Sequence, residues 1–107
     1  MHKPLTRASV IRTLRKQLPR LRAEYGVEKM ALYGSFAKVA ANRRSDVDIL
    51  VELTHPLGLE FVQLAFDLEK SLGRKVDLAT FDTFQRGLAQ PRYARIVSDI
   101  ERTLCYV

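Results

Sequence analysis

The sequence predicts an α/β (α+β) domain with a small mixed sheet of three to five strands that helices cover on one face. Two observations support this fold class. Alternating strand segments and helical stripes follow one another along the chain, and no segment is repeated or of low complexity. A length of 107 residues leaves room for one modest core, so we expect a single domain over residues 1–107.

The composition is that of a folded protein. Hydrophobic residues make up 47% and charged residues 28%, which excludes a disordered or fibrous chain. No apolar run reaches the roughly 18 residues that a membrane span needs, and the basic start lacks the apolar stretch of a signal peptide. The single cysteine, Cys105, cannot form an internal disulfide. We therefore expect a cytoplasmic protein without a membrane segment.

Positive charge is concentrated in the first 22 residues. They carry seven cations and no acid, whereas the rest of the chain has eleven cations and twelve anions. Such a cluster occurs on surfaces that bind nucleic acid or an acidic partner, but the stronger interpretation is the solvated face of an amphipathic helix. Because no aromatic residues are interleaved with these cations, direct binding of nucleic acid is not expected.

The first predicted element is a helix over residues 6–25. Apolar residues recur there at spacings of one, three and four. Pro19 lies inside this segment and has no amide hydrogen to donate, so we expect a kink or a break into two helical pieces near Leu18. Gly26 is expected to end the helix.

Two strands follow, on either side of a polar loop. Residues 27–33 predict a strand that runs directly into Gly34 and Ser35, and residues 36–41 predict a short helical stretch. Residues 46–53 alternate between polar and apolar side chains, which indicates a half-buried strand.

The rest of the chain predicts a helix, a strand and a second helix. The apolar stripe at 61–72 is closed by Gly73. Residues 75–80 predict the third strand of the sheet. After residue 81 the sequence predicts a short turn and then a helix through residues 93–100.

Acidic side chains occupy polar positions of two predicted strands. Asp46 and Asp48 are two residues apart on a strand, so both side chains project from one face. Their Cα atoms are expected about 6.6 Å apart. Two anions at this distance repel unless a cation lies between them, and oxygen ligands favour Mg²⁺ or Mn²⁺. Asp77 would join the pair if its strand is a neighbour. The alternative is that all three are solvated carboxylates.

The turn at Gly34 and Ser35 provides a second feature. Glycine allows a ligand to approach the backbone closely, and free amides at a helix start bind phosphate oxygens. The alternative is a tight turn in which Ser35 caps the helix. Tyr33, which flanks the turn, is expected to pack in the core. A phosphate-binding turn, followed after ten residues by two aspartates, is more specific than either part alone.

These features together resemble a known signature. Residues 32–38 (Leu-Tyr-Gly-Ser-Phe-Ala-Lys) and 45–51 (Ser-Asp-Val-Asp-Ile-Leu-Val) resemble the nucleotidyltransferase signature of the DNA polymerase beta superfamily. Residues 73–78 resemble the later strand with its third carboxylate. In size and coverage the chain is similar to the minimal nucleotidyltransferase (MNT) family, known for antitoxins encoded beside HEPN-domain toxins. The resemblance implies one minimal domain with the nucleotidyltransferase fold.

The resemblance also implies an activity. It is the transfer of AMP from ATP to a hydroxyl group, which belongs to a tyrosine of a partner HEPN-type toxin. The chain would act as the antitoxin of this toxin and form a hetero-oligomer with it. Asp46, Asp48 and Asp77 would then be the catalytic residues and would hold two Mg²⁺ ions, with Mn²⁺ as an alternative, while Asp77 helps to deprotonate the attacking hydroxyl. Gly34 and Ser35 would hold the β and γ phosphates.

Lys38 and Val39 depart from the family pattern, which often has Arg-Gly at these positions. Lys38 keeps a positive charge for nucleotide binding but lacks the forked geometry of arginine. Val39 places a side chain where glycine allows close approach. The metal-binding residues are unchanged, so the departures bear on rate and nucleotide preference rather than on the type of reaction.

Two other functions fit the same residues. One is a non-catalytic antitoxin that neutralises its toxin by binding alone, and the other is a nucleotidyltransferase that acts on a small hydroxylated molecule. Three retained carboxylates favour catalysis over binding alone. The short chain leaves little room for an acceptor pocket, which argues against a small-molecule acceptor.

Overall fold

The computed structural model describes residues 6–33, 46–88 and 104–107. Its elements are α1 (Arg7–Tyr25), β1 (Val27–Tyr33), β2 (Val47–Leu53), α2 (Leu59–Leu72), β3 (Val76–Thr80), α3 (Phe81–Leu88) and β4 (Cys105–Tyr106). The strands of this described part form one sheet in the order β3-β2-β1-β4. β2 is parallel to β3, and β1 is antiparallel to both β2 and β4. The predicted fold class, with a small mixed sheet, is confirmed.

Both ends of α1 are fixed by local hydrogen bonds. The Thr6 hydroxyl accepts from the Ser9 amide at 3.1 Å, and the Ser9 hydroxyl accepts from the Thr6 amide at 2.9 Å. The helix ends at Gly26 in the left-handed conformation, with φ of 72°. A side chain at this glycine would collide with the hydroxyl of Thr54. The junction between α1 and β1 therefore requires glycine.

α1 continues through Pro19 as one helix, so of the two predicted outcomes, a kink or a break, the break into two helical pieces is wrong. Proline removes a backbone hydrogen bond from a helix interior. Here Leu14 and Leu21, on either side of it, are both fully buried in the core. Because both halves of the helix are anchored in this way, hydrophobic burial offsets the missing hydrogen bond.

The main core cluster lies on one face of the sheet. α1 contacts α2 and β1, and α2 contacts β3, so both helices lie on this face. The buried strand residues of the core cluster are Val27, Met30, Leu32, Val47, Ile49, Val51 and Val76. The alternate strand residues point to the opposite side of the sheet, which we call the second face.

An ion pair joins the two helices. The Arg20 guanidinium donates to both oxygens of Asp67, at 2.7 and 2.8 Å. The Tyr25 hydroxyl donates to the same carboxylate at 3.2 Å. These bonds lower the pKa of Asp67, with the Arg20 hydrogen bond as the largest cause. They fix the position of α1 against α2.

The last part of the chain differs from the prediction. α3 begins at Phe81, directly after β3, where a turn was expected. The hydroxyl of Thr80 accepts from the amide of Thr83 at 3.1 Å and so supports this helix start without a turn. The short strand β4 was not predicted. The helices predicted over 36–41 and 93–100 lie outside the described residues.

No helix among the described residues is both long enough and apolar enough to span a membrane.

Candidate active site

Three polar residues lie side by side across the second face of the sheet. Tyr33 of β1 is the direct partner of Asp48 on β2, and Asp48 is the direct partner of Asp77 on β3. Directly paired residues project from the same face of a sheet. Tyr33, Asp48 and Asp77 therefore form one row, which we call the acidic row. The predicted strands of Asp48 and Asp77 are indeed neighbours.

Asp46 lies at the same end of the sheet. It directly precedes β2 and is exposed to solvent. It is close enough to Asp48 for its negative charge to raise the pKa of that carboxyl. The structure thus brings Asp46, Asp48 and Asp77 into one electrostatic environment.

The acidic row has unusual proton affinities. Burial, followed by the negative charges of Asp77 and Asp46, raises the pKa of Asp48 to about 6. Burial, followed by the charges of Asp77 and Asp48, raises the pKa of Tyr33 to about 12. At neutral pH the Tyr33 phenol therefore remains a neutral hydroxyl, while Asp48 is an anion that its surroundings disfavour.

The donor chemistry of these carboxylates fits a hard divalent cation. Mg²⁺ and Mn²⁺ prefer anionic oxygen ligands, and a cation would offset the repulsion that raises the pKa of Asp48. In the part of the chain that the structure describes, no three histidine, cysteine or acidic side chains already stand in a metal-binding arrangement. The backbone register supplies the neighbouring carboxylates, and a metal ion would have to draw their side chains together.

The nucleotide-binding residues predicted from the sequence are Gly34, Ser35 and Lys38, and all three lie outside the described residues. Tyr33 directly precedes them, and Asp46 follows the same segment. Both of these flanking residues lie at the end of the sheet that carries the acidic row.

Tyr33 is the residue whose place the sequence reasoning missed. It was expected in the core, but it lies half-buried on the second face beside Asp48. The signal was present in the strand pattern, because Met30 and Leu32 face the core and the next residue along β1 must face away. The aromatic side chain obscured this alternation.

Comparison with known proteins identifies relatives that match most of the chain. The family model described as nucleotidyltransferase domain matches residues 12–104. The protein MJ1379 of Methanocaldococcus jannaschii, provisionally named a protein adenylyltransferase, is 35% identical over 95% of this chain and 98% of its own length. The protein adenylyltransferase MntA of Thermococcus cleftensis is 36% identical over 72% of this chain and 79% of its own length.

Solved structures agree with this result. A structure described provisionally as a minimal nucleotidyltransferase superposes with a TM-score of 0.67 at 27% identity, over 99% of this chain and 98% of its own. A chain from a toxin-antitoxin crystal structure with AMP-PNP superposes with a TM-score of 0.52 at 28% identity, over 71% of this chain. This chain spans only 57% of the length of that toxin-antitoxin chain.

Proposed function

Since this chain belongs to the nucleotidyltransferase domain family, we propose that it is a protein adenylyltransferase that moves AMP from ATP to a hydroxyl of a partner protein. The observation that carries this proposal is the acidic row, in which Asp48 and Asp77 stand side by side on neighbouring strands. A protein that acts by occlusion alone has no need for carboxylates that repel one another.

The proposed acceptor is a tyrosine of a HEPN-type toxin, which makes this chain an antitoxin within a hetero-oligomer. The toxin-antitoxin structure with AMP-PNP supports this choice, because one of its chains shares this fold. Residues 1–107 act in this scheme as one minimal nucleotidyltransferase domain.

In the proposed reaction, the acceptor oxygen forms a bond to the α phosphorus of ATP and pyrophosphate leaves. Asp46, Asp48 and Asp77 would hold two Mg²⁺ ions, which would supply charge neutralisation for the triphosphate and for the entering and leaving oxygens. Asp77, which is exposed at the edge of the acidic row, also accepts the proton of the attacking hydroxyl.

The segment next to the acidic row holds the nucleotide in this proposal. Gly34 and Ser35 bind the β and γ phosphates, and Lys38 adds a positive charge. Their neighbours in the sequence, Tyr33 and Asp46, lie at the acidic end of the sheet, which supports this assignment.

Labelled ATP tests the proposal. We expect a co-expressed HEPN-type partner to acquire labelled AMP in the presence of Mg²⁺, and Asp48→Asn to abolish the labelling. Asp82→Asn is the matched control, because Asp82 is an exposed carboxylate of α3 outside the acidic row. If the complex forms but no label appears at saturating ATP, the chain is a non-catalytic antitoxin. Label on a small hydroxylated molecule alone would favour the small-molecule transferase.

A further inference from the structure

We propose that the exposed side of α1 is a docking surface for an acidic segment of a protein. We define this basic face by Arg12, Arg15, Lys16 and Arg22, all of which are exposed. Their spacing along a helix places them on one side, opposite the buried residues of α1. From Arg12 to Arg22 the face is about 15 Å long.

Most of this positive charge has no ion-pair partner among the described residues. Within the part of the chain that the structure describes, Arg12, Arg15 and Lys16 form no ion pair. Arg20, on another side of the same helix, pairs with both Asp67 and Glu24. Among the described residues, acidic side chains therefore neutralise Arg20, on the side of α1 that contacts α2, but not the cations of the basic face.

This arrangement has an energetic cost. Like charges three and four residues apart on a helix repel each other, as Arg12 does with Arg15 and Lys16. The first turn of α1 holds no acidic residue to balance the positive end of the helix dipole. All four charges of the basic face are positive, so no charge on the face itself offsets them. The unbalanced potential is relieved when an acidic surface binds.

A surface depression at the N-terminal end of the basic face favours the binding of a protein over that of a nucleic acid. Arg7, Ala8, Ile11, Arg12 and Arg15 line an open surface depression of about 430 Å³. Partly buried Ile11 gives it an apolar centre within a rim of arginines. Such a centre with arginine around it is typical of protein interfaces. None of these residues is aromatic, so the aromatic stacking platform on which single-stranded nucleic acid binds is absent from this depression.

The basic face is separate from the acidic row. α1 packs on the core face of the sheet, whereas Asp48 and Asp77 project from the second face. The docking surface thus consists of residues other than those of the proposed AMP transfer.

Fluorescence anisotropy tests this surface with two labelled probes, a short poly-L-glutamate peptide and a single-stranded RNA. We expect the wild-type chain to bind poly-L-glutamate more tightly than RNA. The double variant R12E and R15E should weaken that binding by at least about tenfold, since it reverses two interface charges. The control is K70E and K75E, which makes the same change of net charge at exposed positions away from α1.

The outcomes separate the readings. Tighter binding of RNA overturns the proposal in favour of a nucleic-acid surface. No binding of poly-L-glutamate by the wild-type chain, or an equal loss in the control variant, overturns it as well. Circular dichroism checks the fold of each variant. If the charge reversal prevents folding, R12Q and R15Q replace it, and unchanged affinity in that variant also overturns the proposal.

Discussion

The surroundings of Asp48 disfavour the negative charge of its carboxylate. It occupies the central position of the acidic row, where burial and two neighbouring carboxylates raise its pKa to about 6. The negative charge that a metal ion needs is thus the charge that the folded chain disfavours in its absence. This conflict is typical of functional sites, where local stability is given up for chemistry.

Asp48→Asn should therefore separate activity from stability. The substitution removes a charge at nearly constant volume, so we expect AMP transfer to fall by at least about 100-fold. Without added metal, the free energy of unfolding of the variant should be about 1–2 kcal/mol higher than that of the wild type at pH 7, because the disfavoured charge is gone. Urea denaturation and labelled transfer measure the two effects. A destabilised variant would assign Asp48 a structural role instead.

The pH dependence of this difference has a definite sign. The folded-state pKa of Asp48 is raised from 3.8 to about 6, so the folded chain binds its proton more tightly than the unfolded chain does. The contribution of Asp48 to stability is therefore fully present only below about pH 3.8 and is lost as the pH rises through 6. We expect the stability gain of Asp48→Asn to be largest at pH 7 and to vanish below about pH 3.8. Urea titrations at several pH values, without metal, check this.

Much of the candidate site could be anticipated from the sequence. The two-residue spacing of Asp46 and Asp48 sets their common face, and the alternation of the third strand sets that of Asp77. The pairing of the two strands could not be read from spacing, because strand order depends on the long-range packing of α2 against the sheet. Tyr33 was missed for a local reason, since its aromatic ring suggested burial in the core.

At the scale of elements, the position of α1 against α2 depends on the bidentate ion pair between Arg20 and Asp67. We expect Asp67→Asn to lower the free energy of unfolding by about 1 kcal/mol at pH 7, because partial exposure of Arg20 screens the pair. The pKa of Asp67 is lowered in the folded state, so its contribution exists above the unfolded pKa and is lost as the pH falls through the folded value. Urea denaturation at pH 7 and pH 3 measures this.

The control for that measurement is Asp82→Asn. Asp82 pairs with Arg86 at the same 2.7 Å, but both side chains are more than 70% exposed. An exposed pair four residues apart on a helix contributes little, so we expect a loss below about 0.5 kcal/mol. Equal losses in the two variants would mean that the pair between Arg20 and Asp67 does not join the helices in solution.

Pro19 provides the second prediction at the scale of elements. It is exposed within an unbroken α1, and its ring costs the helix a backbone hydrogen bond. Pro19→Ala should raise the free energy of unfolding by about 1–3 kcal/mol. Thermal and urea denaturation measure the gain, and a loss of stability would mean that the proline ring makes a contact that the helix needs.

The elements were predicted best where one face is buried. α1, β2 and α2 have long amphipathic patterns, and all three appear close to their expected bounds. β4 has only two residues, too few to show an alternation, and exists because it pairs with the edge of β1. The expected break in α1 failed because local propensity was weighed without the buried leucines on both sides.

For the whole molecule, ligand binding should be visible as stability. If the acidic row binds nucleotide with Mg²⁺, then ATP and Mg²⁺ together stabilise the fold by about 2.7 kcal/mol at a concentration one hundred times the dissociation constant. We expect a clear rise in melting temperature with both ligands, less with either alone, and none in Asp48→Asn. A rise that persists in that variant would place the nucleotide elsewhere.

The proposed activity depends on complete folding, because it requires one particular alignment of β2 and β3. Asp48 meets Asp77 only when β3, which follows β2 after the crossover through α2, docks in one particular alignment. A slip by one residue would turn Asp77 inward and expose Val76 or Leu78 in its place. A chain with such a slip would lack the neighbouring carboxylates that the proposed AMP transfer requires, so only chains with the correct strand alignment would carry it out.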